Sequence, residues 1–237
     1  CLLRLIVFPL IAVVAFAGLE RSGIHPDAEY ILIQPVNEHE MAQLEKEASL
    51  IGDKVTEPFV LAAFLVRDWN RELSPWEAPP VFGTEGFGTG AAGTLRFVQE
   101  SFVPFVVEHY AAASDVPVVL GGYSLAGLFS MWSAYQTDLF AAVAAVSPSV
   151  WFPKWDEYAG KHAVQTERIY LSLGKREEKT RNRVMAAVGD RIREQYKHLQ
   201  EQGIQTTLEW NEGNHFQESD VRCAKAFIWC VRNLGSS

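Results

Sequence analysis

The chain has 237 residues, 48% of them hydrophobic and 21% charged, and a formal net charge of -8 at pH 7. This balance is typical of one globular domain with a sizeable core, and the acidic excess would repel a phosphate backbone. We therefore expect no nucleic acid partner. Cys223 and Cys230 fall seven residues apart on a predicted helix. A rise of about 10 Å separates them, which is too far for a disulfide.

The N-terminal segment is apolar and uncharged over residues 5–19, and Ala15-Phe16-Ala17 resembles a small-x-small cleavage site. The stretch is shorter than the ~20 residues of a membrane-spanning helix, and it contains Pro9. We interpret residues 1–23 first as a signal or anchor, then as a product of an uncertain start site, and last as a buried strand. Secretion or membrane anchoring is expected if residues 1–23 are a genuine signal, and membrane contact is expected only if the segment is retained. The domain proper is predicted over residues 24–237.

After residue 24, short β-branched or apolar runs alternate with longer amphipathic stretches. Such alternation predicts βαβ units and an α/β fold, with a mostly parallel sheet covered by helices on both faces. The predicted strands are residues 30–36, 59–66, 116–120, 141–147, 168–173 and 206–210. The predicted helices are residues 38–50, 90–110, 125–135, 181–202 and 218–233. The irregular connection between them at residues 68–89 is long enough to suggest a functional loop.

The strongest chemical signal follows the predicted strand that ends at Leu120. There the sequence reads Gly122-Tyr123-Ser124-Leu125-Ala126 and continues as a predicted helix. This small-x-Ser-x-small pattern indicates a nucleophile elbow, in which small residues let strand and helix approach around a strained serine. Ala126 departs from the commoner glycine, and a chance glycine-rich turn is the alternative. We predict Ser124 as the nucleophile.

A serine nucleophile needs a base, which follows it in the chain order of elbow folds. Three histidines follow Ser124, namely His162, His198 and His215. His215 lies between the last predicted strand and the last predicted helix, at the carboxyl edge of the sheet where Ser124 also lies. His198 falls in a polar helix and His162 in a charged connection. We therefore predict His215 as the base.

The acid is expected after the penultimate strand, where Glu177 and Glu178 follow Gly174. Either carboxylate could hold the imidazole tautomer and stabilise the imidazolium. We favour Glu177 and keep Glu178 open, with Asp156 in reserve. The alternative is that both glutamates are solvated, because the segment is dense in both charges.

An oxyanion intermediate needs two preorganised donors. We predict the backbone amide of Leu125, directly after the nucleophile, and the amide of Trp69 in the loop after the strand at residues 59–66. Aromatic residues near the carboxyl end of the sheet could line an acyl or aryl pocket, or pack beneath loops. The predicted substrate contacts are Trp76, Trp151 and Phe216.

Two further motif matches predict neither a cofactor nor a metal. The run Gly88-Thr89-Gly90-Ala91-Ala92-Gly93 fits a dinucleotide pattern but lacks the preceding strand, so we interpret it as a loop entering a helix. The run His39-Glu40-Met41-Ala42-Gln43 opens like a zinc-protease helix but has Gln43 where the second histidine must stand.

Several segments together resemble the Putative esterase family, which includes esterase D and the siderophore esterases. They are residues 122–127, 147–152, 174–178 and 213–216, with residues 68–76 similar to a compact subgroup of predicted hydrolases. The likeness spans residue 30 to the C-terminus and leaves residues 1–23 outside. It implies an α/β-hydrolase fold without a large cap domain, a cytoplasmic location, and a triad of Ser124, Glu177 and His215.

These residues predict a serine esterase that cleaves a small-molecule carboxylic ester through an acyl-enzyme intermediate, without a cofactor. An acyltransferase would use the same triad. A noncatalytic binding module on the same fold is the third reading, and retention of all three candidate groups argues against it. The identity of the ester and the oligomeric state stay open at this point.

Overall fold

A computed structural model describes residues 27–81 and 83–235, together with the backbone of two strands at residues 4–8 and 11–16. The strands are β1 (Arg4–Phe8), β2 (Ile11–Phe16), β3 (Tyr30–Val36), β4 (Phe59–Leu65), β5 (Val118–Tyr123), β6 (Ala142–Val146), β7 (Arg168–Gly174) and β8 (Gln205–Asn211). They form one sheet in the order β1-β2-β4-β3-β5-β6-β7-β8. Strands β3 to β8 are mutually parallel, as the sequence pattern predicts.

The N-terminal strands form an antiparallel hairpin. β1 pairs with β2, and β2 pairs antiparallel with β4 at the edge of the parallel sheet. A strand was the last of the three interpretations of residues 1–23. The predicted boundary between residues 23 and 24 lies outside the described residues. No helix in the described part of the chain combines the length and apolarity needed to cross a bilayer.

The helices are α1 (Glu38–Met41), α2 (Leu44–Gly52), α3 (Trp69–Glu72), α4 (Ala91–Phe97), α5 (Val103–Tyr110), α6 (Leu125–Gln136), α7 (Trp155–Ala159), α8 (Arg183–Ala186), α9 (Val188–Glu201) and α10 (Ser219–Leu234). They cover both faces of the sheet. Successive residues of β3 show this, because Ile31 and Ile33 join the core that contains α4, α5, α6 and α9, whereas Leu32 joins the core that contains α2 and α10. This alternation follows from the two-residue period of a strand.

Three of the predicted helices are interrupted. The helix predicted over residues 90–110 passes through a π-helical segment at Val98–Phe102, just before Pro104, which has no amide hydrogen for the helical ladder. The helix predicted over 38–50 divides into α1 and α2, and the one over 181–202 divides into α8 and α9. Two short helices that were not predicted, α3 and α7, lie in segments expected to be loops.

Three connections leave the carboxyl ends of parallel strands on one edge of the sheet. Ser124 follows β5, Glu177 follows β7 in a 3₁₀ turn (Glu177–Lys179), and His215 follows β8. Strands β5, β6 and β7 are neighbours, and β8 pairs with β7. The topology therefore brings these three distant segments to one place, as expected for parallel strands.

Candidate active site

Ser124 occupies a strained turn between β5 and α6. Its backbone has φ 59° and ψ -119°, outside the favoured regions for a side chain with a β-carbon, and its amide donates to the Val146 carbonyl at 3.0 Å. A β-carbon on Gly122 would lie 2.7 Å from both the backbone and the side chain of Ala126. Glycine is therefore required at position 122 whatever side chain position 126 carries, because the backbone of residue 126 alone leaves no room for a β-carbon. The local geometry is that of the predicted elbow.

The structure brings Ser124, His215 and Glu177 together. His215 Nε2 lies 2.9 Å from Ser124 Oγ, and His215 Nδ1 lies 2.7 Å from Glu177 Oε2. Both distances are those of hydrogen bonds. Because a carboxylate only accepts, the network assigns the proton of a neutral His215 to Nδ1 and leaves Nε2 to accept from the serine hydroxyl.

The Glu177 carboxylate is buried and its other oxygen is held by three donors. Oε1 accepts from the Gly174 amide at 2.8 Å, from Ser147 Oγ at 2.8 Å and from Arg222 Nη1 at 3.1 Å. Burial alone would raise the pKa of Glu177, but the hydrogen bond and charge of His215, with the donors Ser147 and Gly174, outweigh it and lower the pKa below its ordinary value. The group is therefore an anion at neutral pH.

The other candidate acids do not contact His215. Glu178 forms an ion pair with Arg193 at 3.1 Å, and Asp156 forms one with Arg191 on α9. Glu178 also packs so closely on Gly189 that a β-carbon there would overlap its carboxylate. The geometry favours Glu177.

The other two histidines make local contacts, His198 within α9 and His162 in the bend after α7. His198 Nε2 lies 2.7 Å from Gln202 Nε2, and His162 Nδ1 lies 2.8 Å from the Tyr158 carbonyl oxygen. Each partner is four residues away in sequence, a spacing that is expected for His198 on the surface of α9. Among the three histidines that follow Ser124, His215 is the one that contacts it.

The two predicted oxyanion donors lie in different settings. Leu125 is the first residue of α6, so its amide has no acceptor within the helix and lies directly beside Ser124. Trp69 is likewise the first residue of α3, after the capping residue Asp68. It lines a depression with Phe87 and Gly88, separate from the cleft that contains His215. The role of the Trp69 amide stays a prediction.

A cleft of about 350 Å³ opens beside His215. Its walls include Trp151, Met185, Val188 and Phe216. The side chain of Phe216 is 90% exposed, so it is available to a ligand. The size and lining suit an acyl or aryl group.

Trp76, a predicted substrate contact, packs elsewhere. Its Nε1 donates to the Pro153 carbonyl at 2.8 Å, and its ring stacks on Trp155 with centroids 6.4 Å apart. It contacts Phe152 and Tyr158 as well. Trp76 belongs to this aromatic cluster and does not line the His215 cleft.

Two of the three glycines of the dinucleotide-like run serve packing, whereas a β-carbon on Gly93 would meet nothing within 4 Å. A β-carbon on Gly90 would lie 2.6 Å from the Arg71 carbonyl oxygen, and one on Gly88 would lie 2.9 Å from the Arg71 α-carbon. The run enters α4 from a loop, as predicted. Within residues 27–81 and 83–235, no three His, Cys, Asp or Glu side chains are grouped as metal ligands.

No sequence pattern singles out Ser147, Tyr123 or Arg222, although Ser147 and Arg222 contact Glu177 and Tyr123 contacts the His215 carbonyl. Arg222 precedes the buried residues Ala226 and Cys230 of α10 by four and eight positions. That spacing puts the charge on the buried face of an amphipathic helix, where an arginine is unexpected unless it is paired. A charged residue on the buried face of this helix is the feature of the sequence that could have pointed to Arg222.

The parallel sheet, the strained serine after β5 and the histidine after β8 define an α/β-hydrolase. A family model described as Putative esterase matches residues 58–219. The chain therefore belongs to this esterase family, and it is a carboxylic ester hydrolase. No curated protein sequence matches it.

Solved structures of siderophore esterases share the fold at low sequence identity. Siderophore hydrolase EstB from Aspergillus nidulans is 17% identical, with a TM-score of 0.73 over 93% of this chain and 90% of that one. EstA from the same organism is 18% identical, with a TM-score of 0.69 over 95% of each chain. The enterobactin esterase FES from Shigella flexneri is 17% identical, with a TM-score of 0.68 over 98% of this chain and 60% of that one.

Proposed function

We propose that this esterase works through a Ser124-His215-Glu177 triad and an acyl-enzyme intermediate. Ser124 Oγ attacks the ester carbonyl carbon while its proton passes to His215 Nε2. The imidazolium then gives that proton to the departing alcohol oxygen, which leaves an acyl-Ser124 ester. Water attacks the acyl-enzyme, His215 takes its proton and returns it to Ser124 Oγ, and the carboxylic acid leaves.

The observation that supports this mechanism best is the continuous hydrogen-bonded chain from Ser124 Oγ through His215 to Glu177. The lowered pKa of Glu177 keeps this carboxylate ionised, so it can stabilise the imidazolium that forms during attack. The Leu125 amide supplies one oxyanion donor, and an amide of the Trp69 loop supplies the second. Trp151 and Phe216 contact the acyl or alcohol part of the ester.

The substrate class is a small-molecule ester, and siderophore esters are the first to test. Two neighbouring structures are described as siderophore hydrolases and one as an enterobactin esterase. The cleft beside His215, with Trp151, Met185, Val188 and Phe216 among its walls, has room for an aryl group of such a molecule. Siderophore esters and simple acyl esters can be compared in one panel, which contains enterobactin, a hydroxamate siderophore ester and p-nitrophenyl esters of increasing acyl length.

The proposal is tested by steady-state hydrolysis of that panel. We expect Ser124→Ala and His215→Ala each to lower kcat at least ~10³-fold with the fold intact. Ser49→Ala, on the exposed side of α2, and His198→Ala are the matched controls and should keep wild-type rates. Undiminished hydrolysis by Ser124→Ala would rule out the mechanism. Product analysis with an added alcohol separates hydrolysis from acyl transfer.

A further inference from the structure

Arg222 is a charged side chain in the first turns of α10 with only 1% of its surface exposed. Its Nη1 lies 3.1 Å from both Glu177 Oε1 and Tyr123 Oη. Its Nη2 donates to the carbonyl oxygens of Glu212 at 2.7 Å and Asn214 at 3.0 Å. One guanidinium group therefore contacts the end of β5, the turn after β7 that carries Glu177, and the loop after β8 that carries His215.

The loop that carries His215 depends on these contacts. Arg222 holds the carbonyls of residues 212 and 214, and Tyr123 Oη donates to the His215 carbonyl at 2.8 Å. Burial raises the pKa of Tyr123 to about 12, so its hydroxyl stays protonated and remains a donor. Two buried side chains that contact each other therefore hold three carbonyls of the loop.

The chemistry of this position requires arginine. A buried cation is costly without an opposite charge, and the Glu177 carboxylate supplies one at 3.1 Å. The planar guanidinium can donate to the carboxylate from one nitrogen and to backbone carbonyls from the other. A lysine has a single ammonium on a flexible stem and cannot span both groups of acceptors.

We propose that Arg222 is a positioning residue that sets Glu177 and His215 relative to Ser124, an inference that rests on the triad mechanism proposed above. By holding Glu177 Oε1, it directs Oε2 towards His215 Nδ1. By holding two loop carbonyls, it fixes where the imidazole lies relative to Ser124 Oγ. Its charge also offsets part of the Glu177 charge, which limits how strongly the carboxylate stabilises the imidazolium.

Two variants separate the geometric part of this role from the charge. Arg222→Lys keeps the charge but loses the pair of guanidinium nitrogens that reach Glu177 and the loop carbonyls, so kcat should fall about 10-fold. KM and the acid limb of the pH–rate profile should not change. Arg222→Gln loses the guanidinium contacts with Glu177 and with both loop carbonyls; this loss of positioning should lower kcat at least ~10²-fold and outweighs the stronger stabilisation of the imidazolium. Its acid limb should also move to higher pH, because the unopposed carboxylate stabilises protonated His215 more strongly. A purely structural role would not move that limb.

The experiment measures kcat, KM and the pH–rate profile with a p-nitrophenyl ester, per active site titrated with a fluorophosphonate. Arg191→Lys and Arg191→Gln, at the ion pair with Asp156, are the matched controls. If Arg222→Gln shows wild-type kcat and acid limb per titrated site, the Arg222 proposal is overturned while the triad stands. If Arg222→Gln does not fold, wild-type kcat in Arg222→Lys overturns it instead. A wild-type protein that neither hydrolyses esters nor labels would overturn the triad mechanism and Arg222's role with it.

Discussion

Two carboxyl groups in this esterase are buried to a similar degree, yet their pKa values are shifted in opposite directions. Glu177 is 7% exposed and Glu47, on α2, is 4% exposed. The pKa of Glu177 is lowered, whereas burial raises the pKa of Glu47 to about 8. Burial alone therefore does not decide whether a carboxyl group is charged.

The difference lies in the partners. Glu177 receives four hydrogen bonds, from His215, Ser147, Gly174 and Arg222. Glu47 receives one, from Gln34 Nε2 at 3.0 Å, and its Oε1 contacts no donor among the described residues. The acids Glu40 and Asp220 add repulsion and raise the pKa of Glu47 further. A buried carboxylate is kept ionised by donors and opposite charge.

The largest expected effect is the loss of activity in Glu177→Gln. An amide in place of the carboxylate cannot stabilise the imidazolium and favours the wrong tautomer of His215. We expect kcat to fall at least ~10²-fold in ester hydrolysis. Glu178→Gln is the control and should retain wild-type kcat; if it is the damaging change, Glu178 is the acid.

Substitution by glutamine should change the free energy of unfolding differently at the two positions. Glu177→Gln leaves Arg222 as an uncompensated buried cation, so the free energy of unfolding should fall by about 3 kcal/mol. Glu47→Gln at pH 9 removes a carboxylate that is ionised with a single donor, so it should leave the stability unchanged or raise it. Urea unfolding of both variants and of the wild type at pH 9 measures whether each substitution lowers or raises the free energy of unfolding. Equal destabilisation by both variants would refute the contrast.

A further expected effect is a pH dependence of stability that is specific to Glu47. Its pKa is raised from 4.5 in the unfolded chain to about 8 in the folded state, so the folded state binds the extra proton between these values. The contribution to stability is therefore full below pH 4.5 and is lost as the pH rises to about 8. Glu47→Gln should gain stability relative to wild type across this window and level off above it. A difference that is constant with pH would contradict the raised pKa.

The sequence was sufficient for the parallel sheet, and it predicted the three side chains that the structure brings within hydrogen-bond distance of one another. Most strands after residue 24 are short apolar runs, although β8 is largely polar, and the elbow pattern around Ser124 is a local steric requirement that a sequence displays directly. Glu177 and His215 were found by their place after strands, because parallel strands bring their carboxyl ends to one edge.

The parts that were missed depend on tertiary contacts. Arg222 contacts Glu177 from a helix position 45 residues further along the chain, and no local pattern links the two positions. Trp76 was expected in the pocket, but an aromatic side chain in a long loop has no signal that separates a ligand contact from packing against Trp155. The π-helical segment before Pro104 depends on backbone geometry that apolar periodicity does not encode.

The central claim is that Ser124 is an activated nucleophile, and reaction with a fluorophosphonate probe tests it most directly. The purified protein would be labelled, and the modified peptide mapped by mass spectrometry, beside Ser124→Ala and Ser49→Ala. We predict a single adduct on Ser124 in wild type and in Ser49→Ala, and none in Ser124→Ala. Folded wild-type protein that does not react, or an adduct that persists in Ser124→Ala, would contradict the account.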